Sequence, residues 1–92
     1  MMSEIFQQLG QYFHQDIHLI YSSVEEVAKA FVLRLDQSET TELVNFLEKN
    51  LSSKSNSELA DLWDKTGSDI IVDDNGIRDF LSKILGQAKS QG

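Results

Sequence analysis

The chain has 92 residues, 15 of them acidic and 8 basic, no cysteine and no proline, and a formal net charge of −7. That length allows one hydrophobic core, and so a single domain over residues 1–92; 40% hydrophobic and 25% charged residues make a globule rather than a disordered tail. The absence of cysteine excludes a disulfide framework, a thiol nucleophile and any Cys-ligated metal, and the acidity argues against direct binding to nucleic acid, whose phosphates need a basic surface.

No run approaches the about 18 apolar residues of a membrane span. Met1-Met2-Ser3-Glu4 lacks the basic start and apolar core of a secretory signal, so a cytoplasmic location is expected. A negative surface suits a basic partner and would speed the encounter with it. The same charge also serves solubility, and composition does not separate the two.

In chain order, a short first helix is expected with Ser3 as its cap, Ile5, Phe6 and Leu9 facing inward, and Gly10 as a breaker. Ile17 to Tyr21 alternates in the manner of a short strand but is equally compatible with helix. The clearest helix covers Val24 to Leu35, with Val24, Val27, Ala28, Phe31, Val32 and Leu35 on one face. Ser23 followed by Glu26 has the spacing of a capping box. Asp36-Gln37-Ser38 reads as an interruption before a helix from Glu39 to Asn50, which buries Leu43, Val44, Phe46 and Leu47 and has Leu51 at its exit.

Leu51 to Asn56 reads as a polar linker. A short helix with Leu59, Leu62 and Trp63 follows, capped by Ser57, or by Ser55 with Glu58, and ended by Gly67 in the left-handed conformation. Ser68 to Asn75 reads as an extended loop in which Ile70, Ile71 and Val72 plug the core. The last helix is expected from Gly76 to Ala88, with Ile77, Phe80, Leu81, Ile84 and Leu85 inward and Ser90-Gln91-Gly92 fraying. The fold class that follows is all-α: a compact bundle of four to five short helices with one extended loop segment.

Catalytic and cofactor chemistry find little support. His14 and His18 have helical i, i+4 spacing with Asp16 nearby, which can hold zinc, but no third ligand is evident; the competing reading has His14 hydrogen-bonded within the fold. Asp73-Asp74-Asn75-Gly76 invites an EF-hand comparison. With Gly76 at the turn glycine, Ile71 stands where the first carboxylate belongs and Ser82 where the bidentate glutamate belongs, so a turn before an acid-started helix is the better reading. No Gly-x-Ser-x-Gly elbow and no glycine-rich phosphate loop occur. Neither Gln37-Ser38-Glu39 nor Gly67-Ser68-Asp69 has the Asp-Ser-Leu order of an acyl carrier site. No cofactor, metal or small-molecule substrate is expected.

The densest charge signal is the carboxylate set Asp61, Asp64, Asp69, Asp73, Asp74 and Asp79, broken only by Lys65 and Arg78 and lying beside Trp63. It reads either as a docking patch for a basic protein, with Trp63 as an aromatic anchor, or as a solvated face with Trp63 in the core beside Leu59 and Leu62. The helical phase of Trp63 favours the core.

Tyr12-Phe13-His14-Gln15-Asp16 and the segment that follows, Asp16-Ile17-His18-Leu19-Ile20-Tyr21, resemble one known family. So do Val24-Glu25-Glu26-Val27-Ala28-Lys29-Ala30-Phe31, the region from Leu62-Trp63-Asp64 to Gly67-Ser68-Asp69, and Ile77-Arg78-Asp79-Phe80-Leu81. The family is that of the small immunity proteins of bacterial contact-dependent growth inhibition systems. The resemblance implies a cytosolic, non-enzymatic protein that binds and neutralises the C-terminal toxin domain of a co-encoded secreted effector, in many cases a nuclease with a basic site. An acyl-carrier-like protein or a generic helical adaptor is the alternative. No family motif fixes toxin-contact residues, so Tyr12 to Asp16 can serve the fold or the contact. The resemblance also leads one to expect a proline within Ser68–Asn75, which this chain lacks.

Overall fold

The computed structural model describes residues 3–13 and 23–91. The described residues form five helices and no strand: α1 Glu4–Tyr12, α2 Val24–Val32, α3 Gln37–Ser53, α4 Asn56–Asp64 and α5 Ile77–Gln91. The C-terminal α5 is the hub, lying against α2, α3 and α4, while α1 packs on α3. The expected all-α bundle is therefore the observed one. Ile17 to Tyr21, with its strand-or-helix ambiguity, lies outside the described residues.

Side chains in the preceding turns start the helices. Ser3 Oγ accepts from Phe6 N at the head of α1, and Ser23 Oγ accepts from Glu26 N at 3.2 Å, the serine half of the expected capping box. Asp36 does not interrupt the chain. It opens α3 in a reciprocal box, with Glu39 N donating to Asp36 Oδ1 at 2.8 Å and Asp36 N donating to Glu39 Oε1 at 3.0 Å. Two orphan donors are satisfied at once, so α3 starts at Gln37. Of the two caps open for α4, Ser55 with Glu58 is the one used.

The expected linker at 51–56 is mostly helix, because α3 continues to Ser53. Its serines bond back to the helix, Ser52 Oγ and Ser53 Oγ donating to Lys49 O at 3.0 and 2.8 Å. Arg78 reaches over from α5 to the carbonyls left free at the end of α3. Its Nη1 donates to Leu51 O at 2.6 Å, Nη2 to Lys54 O at 2.8 Å and Nε to Asn56 Oδ1 at 2.9 Å. One guanidinium thus caps α3 and fastens the tight α3–α4 turn.

Gly10 does not break α1. It is buried within the helix, and a Cβ at this position would overlap the Thr66 side chain, so glycine serves a close approach rather than a turn. Gly67, at φ 79°, does take the left-handed conformation expected after α4. The last helix runs past Ala88 to Gln91. Ala88 is fully buried and Lys89 Nζ pairs with Glu48 Oε2 on α3 at 3.1 Å; Gly92, the last of the residues expected to fray, lies outside the described residues.

The core joins Ile5, Phe6, Leu9, Phe13, Val27, Phe31, Leu43, Leu47, Leu59, Ile77, Leu81 and Ile84 around Trp63. Trp63 is fully buried. Its ring meets Phe6, Phe13 and Phe80 edge-on at centroid distances of 5.9, 5.5 and 4.9 Å, the geometry favoured by the aromatic quadrupole. Its indole Nε1 donates to Ile70 O at 2.9 Å, so the polar end of the ring is satisfied.

Candidate functional site

All six aspartates singled out in the sequence are exposed. Asp61 and Asp64 stand on α4, Asp69, Asp73 and Asp74 on the connection between α4 and α5, and Asp79 in the first turn of α5. They are not chemically equal. Asp73 Oδ1 accepts from Gly76 N at 3.0 Å and so helps to form the turn before α5. Asp79 Oδ2 pairs with Lys83 Nζ at 3.1 Å, and that hydrogen bond and charge raise the Lys83 pKa above its ordinary value. Asp61, Asp64, Asp69 and Asp74 take part in neither of the ion pairs among the described residues.

The connection carrying three of these carboxylates is tied to the core at several points. Thr66 is buried, and its Oγ1 donates to Trp63 O at 2.6 Å. Gln11 Nε2 on α1 donates to Thr66 O at 3.4 Å. Ser68 Oγ donates to Phe13 O at 3.0 Å and accepts from Ile70 N at 3.2 Å. With Ile70 O held by Trp63, the backbone on either side of Asp69 is fixed from beneath while the carboxylate faces solvent.

Of two expectations about this region, one is met and one needs correction. Trp63 lies in the core, as its helical phase indicated, and so offers no anchor to a partner. Ile71 does not plug the core with Ile70 and Val72: those two are half-buried against it, whereas Ile71 is 87% exposed. Ile70 and Val72 both turn toward the core, and Ile71 between them is left facing solvent. The connection therefore presents one large aliphatic side chain among Asp69, Asp73 and Asp74.

Of the Tyr12–Asp16 motif, two residues are described. Phe13 is buried against Trp63 and Phe80, with its ring 5.2 Å from that of Phe80. Tyr12 is half-buried, 5.4 Å from the Phe31 ring, with the Arg34 guanidinium 5.3 Å from its own ring centroid. His14, Gln15, Asp16 and His18, and with them the zinc question, lie outside the described residues. Among the described residues no group of three or more His, Asp or Glu side chains converges to hold a metal. Asp73 to Gly76 form a turn leading into α5, as the comparison with an EF-hand indicated. Among the described residues no helix is long and apolar enough to cross a membrane.

The family model described as CdiI immunity protein matches residues 2–88. The match runs from before α1 into the last turns of α5 and includes the Tyr12–Asp16 motif and all six aspartates. The chain belongs to the CdiI immunity protein family. It is an immunity protein of the contact-dependent growth inhibition type, a class that is generally non-catalytic and is defined by a cognate toxin. No curated protein and no solved structure matches it.

Proposed function

We propose that this immunity protein binds the C-terminal toxin domain of the effector encoded with it and neutralises that domain by covering its surface, in the cytoplasm and without catalysis. The contact surface is the carboxylate set Asp61, Asp64, Asp69, Asp73, Asp74 and Asp79, with Ile71 as its apolar member. The observation that carries this reading is that the whole set is exposed on a chain of net charge −7, and that the part of it on the α4–α5 connection is anchored from beneath by Trp63 and Ser68. A connection whose backbone is already anchored loses little freedom when a partner arrives.

The partner that fits is basic. A nuclease qualifies, because its active site holds phosphates and carboxylates can stand in for them. The long-range field of a negative protein raises the on-rate, and local pairs set the orientation. An exposed aliphatic side chain among charges supplies the apolar contact around which such interfaces concentrate their energy. Nothing in the geometry favours the acyl-carrier or adaptor alternative, and Ser68, one of the two serines considered for it, has its hydroxyl engaged with Phe13 O and Ile70 N.

The test is toxin inhibition in vitro. Titrating the chain into its co-encoded toxin domain should abolish toxin activity at one equivalent. Replacing all six aspartates with asparagine should raise the concentration needed by about tenfold or more. Full toxin activity in excess wild-type chain would reject the proposal.

A further inference from the structure

Positive charge is scarce on this chain, yet three of its eight basic side chains line one groove. Between α3 and α4 lies a depression of about 510 Å³ lined by Lys49, Lys54 and Lys65 together with Phe46 and Leu62. Phe46 and Leu62 are half-buried against the core and give the groove an apolar lining; the Phe46 ring rests 4.9 Å from that of Phe6. Two polar groups in the groove are already committed, Asn50 Nδ2 to Phe46 O at 2.8 Å and Ser53 Oγ to Lys49 O at 2.8 Å. The lysines are in neither of the ion pairs among the described residues, which involve Lys83 and Lys89, and Lys54 has only a long-range attraction to Glu58.

An adjoining hollow shares Lys54, Leu62 and Lys65 and adds Glu58 and Asp61. Glu58 is occupied there, since its Oε1 accepts from Ser55 N at 3.0 Å as part of the α4 cap. Asp61 is then the one carboxylate of that hollow without such a commitment, and it shares the hollow with two of the three lysines, Lys54 and Lys65. The groove is apolar inside and positive at its edge, the reverse of the α4–α5 connection.

The geometry points to this groove as a second docking element, which receives from the toxin domain an acidic segment carrying an apolar side chain. The inference rests on the toxin-binding reading and adds the chemistry of a distinct contact. A volume of this size accepts a few side chains. The apolar member of the segment meets Phe46 and Leu62, and its carboxylates meet Lys49, Lys54 and Lys65. Contacts of both signs also do what a uniformly acidic face cannot: they fix the orientation of the partner and reject toxins whose charges are differently placed.

The sign of the mutational effect separates this inference from general attraction. Lys49→Gln, Lys54→Gln and Lys65→Gln together make the chain more negative while sparing the apolar stems. If the toxin were held only by net charge, the triple variant would bind as well as wild type or better. If the groove receives an acidic segment, it binds about tenfold or more weakly, with a melting temperature close to that of wild type because Lys49 and Lys65 are exposed and Lys54 is only partly covered.

The experiment is calorimetric titration of the purified cognate toxin domain into wild type and triple variant, with carbodiimide cross-linking of the wild-type complex. Weaker binding by the variant, with cross-links from Lys49, Lys54 or Lys65 to toxin Asp or Glu side chains, is the expected result. A wild type that binds and a variant that binds equally or more tightly overturns the groove while leaving toxin binding in place. A wild type that does not bind removes both.

Discussion

Trp63 at the end of α4 and Ile71 on the connection that follows are both large apolar residues set among aspartates, and they have opposite fates. Trp63 is 0% exposed and Ile71 87% exposed. Trp63 shares a helical face with Leu59 and Ala60, also buried, while Asp61 and Asp64 point to solvent. Ile71 lies on the connection between Ile70 and Val72, which take the inward positions. Apolarity alone places neither residue. The two regions are joined by the hydrogen bond from Trp63 Nε1 to Ile70 O, so the buried one supports the exposed one.

Removing the support should have the largest effect. Trp63→Ala empties the centre of the aromatic cluster and leaves Ile70 O without its donor, and should cost about 3–5 kcal/mol in chemical denaturation. Toxin affinity should fall with it, even where the variant is still folded. Gly10→Ala comes next, because the added methyl must displace Thr66, which sits beneath the connection. A loss of about 1–3 kcal/mol is expected, and Thr66→Gly in the same chain should recover part of it by opening the space.

Ser55→Ala removes the cap of α4 and should cost about 1 kcal/mol by thermal or chemical melting. The Glu58 side of that box adds a pH dependence. The backbone hydrogen bond at Ser55, then the Ser55 side chain, hold the Glu58 pKa below its ordinary value. A carboxyl whose pKa is lower folded than unfolded stabilises the fold above its unfolded pKa, and that contribution is lost as pH falls through its folded pKa. The stability difference between wild type and Glu58→Gln should therefore shrink in acid and be constant near neutrality.

The smallest effect on stability belongs to Ile71→Ser, within about 0.5 kcal/mol of wild type, because the side chain is already in water. Its effect on toxin affinity should be several-fold. A variant that melts like wild type but binds its toxin less tightly would sharpen the division between Trp63 and Ile71; an unaltered affinity would break it.

Much of this arrangement was legible in the residues. Three-and-four spacing located the inner faces of α1, α2, α4 and α5, and Ser3, Ser23 and Ser55 marked helix starts because their hydroxyls meet orphan N–H groups. The Asp36–Glu39 box was equally legible in the spacing, although Asp36-Gln37-Ser38 also has the composition of a turn. Other features depend on residues distant in the chain. Leu51 to Ser53 stay helical with Arg78 from α5 taking the carbonyls of Leu51 and Lys54. Gly10 is explained only by Thr66, across the core. The lysine groove exists only once α3 and α4 lie side by side, since Lys49, Lys54 and Lys65 form no pattern along the chain. The carboxylates were visible as a composition; the structure adds which of them are already engaged in the fold.

The most direct test of the central claim is the affinity of the chain for its cognate toxin domain at two salt concentrations. A one-to-one complex is predicted, stable at physiological ionic strength and weaker at high salt, as exposed charge pairs require. No association at physiological salt, in a preparation whose toxin domain is folded and active, would contradict the account.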